Sequence, residues 1–217
     1  MQDYIVLIVD IKKSSSIQRG KINLIVSKIN DTLFFLKSNP LVHISGFTTG
    51  DEFEIVLMHP RGLYNTIYLI RHFLDIEYRI GIGLGEIENP TIGSINKMWG
   101  SAFSRAREAI NMAKKRSVEV YFVTYDNKFN NSINTILDLL YFLREKMTVN
   151  QKSIFDKFNY YQNYENLKYQ SEFAEKINVS NAMISKTLKI IGYEQIINGE
   201  KLVESMLSEF FERLVPV

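Results

Sequence analysis

The chain has 217 residues, 46% of them apolar and 23% charged, with a net charge of +2. That suits a globular protein of one large or two small domains, and composition alone points to neither nucleic-acid nor membrane binding. The absence of Cys excludes disulfides, thiolate zinc sites and a cysteine nucleophile, and the three His (His43, His59, His72) are too scattered for a His-based metal cluster.

"YIVLIVD", Tyr4 to Asp10, is a continuous apolar run that predicts a strand buried on both faces. Upstream and downstream of it, "MQDYIVLIVDIKKSSS" lacks a basic leader and a small-residue cleavage site. No segment approaches the roughly 18–20 apolar residues of a membrane span. The expectation is a cytoplasmic protein without membrane contact. A Lys/Ser turn follows, and then Ile22, Ile25, Ile29 and Leu33 recur at helical spacing up to Asn39-Pro40. "LVHISGFTTGDEFEIVLM" reads as a hairpin with Asp51 and Glu52 at its tip. "RGLYNTIYLIRHFL" predicts a second helix and "YRIGIGLGEI" another strand. The glycines of that strand are spaced GxGxG and lie inside it, so they are not a dinucleotide fingerprint. They let a helix, or a ligand base, approach the sheet. "GSAFSRAREAINMAKKR" sets Ala102, Ala106, Ala109, Ile110 and Ala113 on one side of a helix, and "VEVYFVTY" returns as a strand.

The order β-α-β-β-α-β-α-β contains a ferredoxin-like β-α-β-β-α-β core, with helices on one face of a mostly antiparallel sheet. Composition changes after Asp126, where "NKFNNS" is a polar break and only helical patterns follow. The expected fold class is α+β, a palm domain over 1–126, a connecting helix within 127–149, and an all-α domain over 150–217.

In a ferredoxin-like sheet the end of the first strand lies beside the hairpin turn, which brings Asp10 near Asp51. Two such carboxylates suit Mg2+ or Mn2+, hard ions that take oxygen donors and leave positions for water and phosphate. Asp10 and Asp51 are the expected ligands, the Ile11 carbonyl completes the shell, and Glu52 is an auxiliary acid. Lys12, Ser14 and Ser15 after the strand, with Gly50 in the turn, would meet phosphate oxygens. The alternative is local structure alone, with Gly and Asp serving the turn and Asp10 or the serines capping a helix. Arg105 and Arg107 lie about 200° apart on their helix, so one can reach a triphosphate while the other lies on a solvated face.

"QSEFAEKINVSNAMISKTLKIIGYEQI" has helix-turn-helix spacing, about residues 171–191. Phe173, Ala174 and Ile177 face inward, Asn178 suits a left-handed backbone angle, and Ser180 caps a second helix whose Ile184, Leu188 and Ile191 return to the core. Ser180, Asn181, Met183, Ser185, Lys186 and Lys189 are then the residues offered to a major groove. Residues 150–217 hold 8 Lys/Arg and 9 Asp/Glu, so one copy makes few phosphate contacts. A homodimer would remedy this, with Leu202, Met206, Phe210 and Leu214 of the last helix as its contact. The alternative is a trihelical fold that serves protein contacts.

The pair "VDIKKS…GFTTGDEFEIVL" resembles the palm domains of GGDEF diguanylate cyclases and class III nucleotidyl cyclases, whose metal-binding carboxylates match Asp10 and Asp51. A closer resemblance is to the SatD family of bacterial proteins. Its ordered motifs match Asp10-Ile11-Lys12-Lys13-Ser14, Gly50-Asp51-Glu52-Phe53, Gly81 to Ile87 and Gly100 to Ala109. Three positions depart from the cyclases. Ser104 and Glu108 stand where class III enzymes carry Asn and Arg, and Thr49 replaces the first Gly of the diguanylate cyclase hairpin. The resemblance therefore implies a regulator in which a nucleotide- and Mg2+-binding palm is coupled to a double-stranded-DNA-binding helix-turn-helix. A metal-dependent nucleotidyl-transfer or cyclase-like enzyme, and a degenerate palm serving as an assembly scaffold, remain the alternatives.

Overall fold

The computed structural model describes residues 3–12, 19–49, 51–74, 76–91 and 93–213. Ser14, Ser15, Gly50 and Leu214 lie outside them. Five strands form one sheet: β1 (Asp3–Ile11), β2 (Val42–Thr49), β3 (Glu52–Leu57), β4 (Tyr78–Glu86) and β5 (Val120–Val123), in the order β2-β3-β1-β4-β5. β1 pairs antiparallel with both β3 and β4, β2 pairs antiparallel with β3, and β4 and β5 run parallel. Helices α1 (Arg19–Leu36), α2 (Leu63–Leu74) and α3 (Ser101–Arg116) alternate with the strands in the order read from the sequence.

The unbroken apolar run of β1 is explained by what covers it. Ile5, Leu7, Val9 and Ile11 pack with Ile29, Leu33 and Leu36 of α1 and Leu63, Ile67 and Ile70 of α2. Tyr4, Val6 and Ile8 pack on the other face with Ala102, Ala106 and Ile110 of α3. Helices therefore cover both faces of the sheet, with α1 and α2 of the six-element core on one and the later α3 on the other. The glycines of β4 make the second layer close. A Cβ at Gly81 would collide with backbone atoms of Ala106 and Ile110, and one at Gly83 with backbone atoms of Ala102 and Ala106. The alternating glycines thus receive a helix backbone.

The chain continues as α4 (Asn127–Glu145), α5 (Val149–Tyr164), α6 (Gln170–Lys176), α7 (Asn181–Ile190) and α8 (Tyr193–Glu212). The polar stretch "NKFNNS" is the start of α4, capped by Asp126, whose carboxylate accepts from the Lys128 and Phe129 N–H groups. Its asparagines serve the outer edge of β5. The Asn134 side chain bonds both the N–H and the C=O of Phe122 at 2.8 Å, and Asn130 does the same for Thr124 at 2.8 and 2.9 Å. The edge strand's backbone is thus satisfied without another strand.

One hydrophobic cluster runs from the sheet through α2 to α8. In α8, Val203, Leu207, Phe210 and Phe211 are buried, and Phe210 stacks on Phe129 of α4 with centroids 4.2 Å apart. The expected use of Met206 and Phe210 as a dimer contact is corrected here: both pack inside their own chain, because α4 and α8 lie side by side, and Leu202 alone of the described members is well exposed. Among the described residues, no helix is long and apolar enough to cross a membrane.

Candidate functional site

Two places singled out by the sequence are set by the fold, the hairpin end of the sheet and the outer face of α7. At the sheet end, strand alternation puts Asp10 on the α3 face together with Glu52 and Glu54, opposite the apolar face formed by Phe53, Ile55 and Leu57. The register pairs Asp10 with Glu52, Ile8 with Glu54, and Asp10 on its other side with Arg79 of β4. Asp10 is 6% exposed and Glu52 9%, so neither carboxylate can be left to water and both need partners from the chain.

α3 supplies them. Lys114 Nζ lies 2.7 Å from Asp10 Oδ1 and 3.8 Å from Glu52 Oε1. Arg107 donates to Glu52 Oε2 at 2.6 Å and stands 3.6 Å from Glu54 Oε1. Arg79 stands 4.0 Å from Asp10 Oδ2. Three carboxylates thus face three cations. Glu54 titrates above the ordinary carboxylate range, because burial disfavours its charge more than Arg107 restores it. Arg107 and Lys114 are seven residues apart and so share one helix face.

The structure brings Asp10, Glu52 and Arg107 together and places Arg105 elsewhere. The Arg105 guanidinium donates to the Leu84 carbonyl at 2.8 Å and sits over the Tyr125 ring at 5.8 Å. Leu84 pairs with Ile5, about 17 Å along β1 from Asp10 at ~3.4 Å per residue. Asp51 lies in the turn, partly exposed, and its carbonyl accepts from the Ile11 N–H at 3.3 Å. The Lys12 N–H donates to the Glu77 carbonyl at 2.9 Å. Trp99 is half exposed and donates from its ring N–H to Glu88 at 2.7 Å. Glu54, Arg79 and Lys114 were not anticipated. The alternation in "EFE" and the i, i+7 spacing of Arg107 and Lys114 are the signals that could have found them.

The donors at this end are oxygens of the kind a hard divalent ion takes. As the side chains stand, however, Asp10 and Glu52 already face an ammonium and a guanidinium. A metal ion taking the Asp10 Oδ1 atom would displace Lys114.

The second place is built differently. α6 and α7 are joined by a tight turn in which Asn178 adopts φ 56°, the left-handed value read for it from the sequence. The Ser180 hydroxyl accepts from the Met183 N–H and caps α7. Phe173, Ala174, Ile184, Leu188 and Ile191 are buried, which fixes α7 by its inner face. Ser180, Asn181, Met183, Ser185, Lys186 and Lys189 are all exposed. No acid occurs on α7 itself.

A family model described as the SatD family matches residues 4–205 of the chain. No curated protein matches it.

Proposed function

The chain belongs to the SatD family, and from the build of its last helices we propose that it is a cytoplasmic, DNA-binding regulatory protein in which α6 and α7 form a helix-turn-helix. The observation that carries this reading is the outer face of α7. A capped helix, seated by Ile184 and Leu188, offers Asn181, Met183, Ser185, Lys186 and Lys189 to solvent with no acid among them. Asn and Ser reach base edges, the two lysines reach phosphates, and Met183 supplies apolar contact in a major groove. Two lysines alone give a weak single-copy complex, so the reading carries a homodimer on two half-sites with it.

The test is fluorescence anisotropy of the full chain on duplex DNA from upstream of its own gene, at several salt concentrations. Binding that weakens steeply with salt is expected, and Lys186→Ala with Lys189→Ala is expected to lower the log–log salt slope by about two. Equal affinity and an equal slope in the double variant would remove α7 from the interface and overturn the reading.

A second reading keeps the sheet as a ferredoxin-like palm that binds a nucleotide with Mg2+ or Mn2+. Asp10 and Asp51 are then ligands, Glu52 is auxiliary, and Lys12 lies beside the phosphates. Metal-dependent nucleotidyl transfer or cyclisation is its catalytic form, and an assembly scaffold its inert form. What favours it is the convergence of Asp10, Glu52 and the Asp51 turn at one sheet end. In this reading the residue that must move is Lys114. Isothermal titration of Mn2+ with a nucleoside triphosphate should then give tighter binding to Lys114→Met than to the unsubstituted chain. Equal or weaker binding would count against it.

A further inference from the structure

Where α2 meets α5 and α8, a second set of charges lies deep in the chain. Arg71 donates to Glu119 at 3.0 and 3.2 Å and to Glu200 at 3.3 Å. Arg144 stands 3.3 Å from Glu119 and makes a two-pronged pair with Asp156 at 2.8 and 2.7 Å. Tyr68 donates its hydroxyl to Glu200. Beside them Glu204 accepts from the Tyr64 N–H at 2.9 Å, at the first turn of α2. Two guanidinium groups therefore serve three carboxylates, and a fourth, Glu204, lies beside them. The shortfall falls at Glu200, which shares Arg71 with Glu119, and at Glu204, which is held by backbone N–H groups and, among the described residues, by no cation.

The shortfall borders a cleft of about 260 Å³ lined by Tyr64, Tyr68, Asn159, Tyr193, Glu200 and Glu204, with Lys201 at its edge. Lys201 is exposed and is the one cationic side chain in the lining. A second, independent observation comes from Tyr64. That residue is 95% buried, at 5% exposure, yet its hydroxyl has no hydrogen-bond partner among the described residues. A buried hydroxyl without a partner is costly, and Tyr64 lines this cleft as well as the smaller cavity beside Arg71, Glu119 and Arg144.

We propose that the cleft binds a small organic amine, with Glu204 as its counter-ion and the Tyr64 hydroxyl as a further hydrogen-bond partner. Tyrosine rings attract an ammonium through their faces, and Tyr64, Tyr68 and Tyr193 all line the cleft. At about 30 Å³ per water molecule, the space suits a short aliphatic chain. A bare metal ion is a poorer match, because both Glu200 oxygens are already engaged by Arg71 and Tyr68. The cleft is walled by α2 on the sheet side and by α5 and α8 on the helical side, so its ligand joins the two parts of the chain.

The experiment is isothermal titration of the full chain with 1,4-diaminobutane at pH 8, with 1,4-butanediol as the neutral match. The expected result is saturable binding of the diamine only, at least tenfold weaker in Glu204→Gln, a few-fold weaker in Tyr64→Phe, and unchanged in Glu209→Gln on the exposed side of α8. Glu204→Gln keeps an oxygen for the Tyr64 N–H, and Tyr64→Phe removes a hydroxyl without a partner among the described residues, so both should fold. The proposal is overturned by absence of saturable heat, by equal weakening in Glu209→Gln, or by undiminished binding in Glu204→Gln and Tyr64→Phe.

Discussion

The hairpin end of the sheet and the outer face of α7 were both marked by the sequence as places for a partner, and the fold treats them in opposite ways. At the sheet end, three carboxylates are answered by Arg79, Arg107 and Lys114, and α3 lies over them. On α7, the inner residues are anchored while the outer ones meet only solvent. Polar residues that a chain has already satisfied are available to a ligand only through displacement, whereas an unsatisfied face on a rigid helix costs little to use. This contrast is why the functional reading rests on α7 and the acids come second.

The contrast can be broken most strongly at β4. Gly83→Ala puts a Cβ into the backbone of Ala102 and Ala106, which should push α3 off the sheet and cost about 1–3 kcal/mol. Urea denaturation measures it, and unchanged stability would mean that α3 is not seated as described. Next, Lys114→Met leaves buried Asp10, among the described residues, with the more distant Arg79. Because Lys114 is 41% exposed and solvent screens the pair, the loss should be about 1 kcal/mol. Ser180→Ala removes the cap of α7 and should cost ~0.5–1 kcal/mol, with DNA affinity falling alongside stability.

A pH scan sharpens the picture at the junction. Burial and the nearby Glu200 charge push Glu204 up to about 7, against the lowering by the α2 N–H groups. A carboxyl raised in the folded state adds stability that is full below its ordinary value near 4.5 and is lost as pH rises toward 7. Tyr64 and Tyr68, both pushed up by burial, stay neutral across that window, which leaves Glu204 and the likewise raised Glu200 as the groups that titrate there. Thermal midpoints of the unsubstituted chain should therefore fall between about pH 4.5 and 7 more than those of Glu204→Gln. Parallel curves would refute the assignment. The smallest stability effect belongs to Lys186→Ala with Lys189→Ala, expected within ~0.5 kcal/mol of the unsubstituted chain, with loss of DNA binding nonetheless.

Much of this fold is local and so was readable. Strand and helix periods carried the element order, and Asn178 and Ser180 declared their turn and cap through backbone chemistry that needs no tertiary knowledge. The Ala face of α3 and the glycines of β4 each signalled a close approach, and the structure sets one against the other. What stayed hidden depends on which surfaces meet. Lys114 looks like any basic residue at the end of a helix until α3 is known to cover the second face of β1. Asn130 of "NKFNNS" and nearby Asn134 read as part of a break because their partners are the backbone of Thr124 and Phe122, at and just past the end of β5. Arg71, Glu119, Arg144, Asp156 and Glu200 come from segments far apart in the chain, with no spacing to announce them.

The most direct test of the central claim is selection from a random pool of double-stranded DNA, run with the unsubstituted chain, Asn181→Ala and Asp10→Asn. An enriched motif that changes with Asn181→Ala and survives Asp10→Asn is the result expected if α7 reads bases and the sheet end does not. No enriched motif, or one that Asn181→Ala leaves as it was, would contradict it.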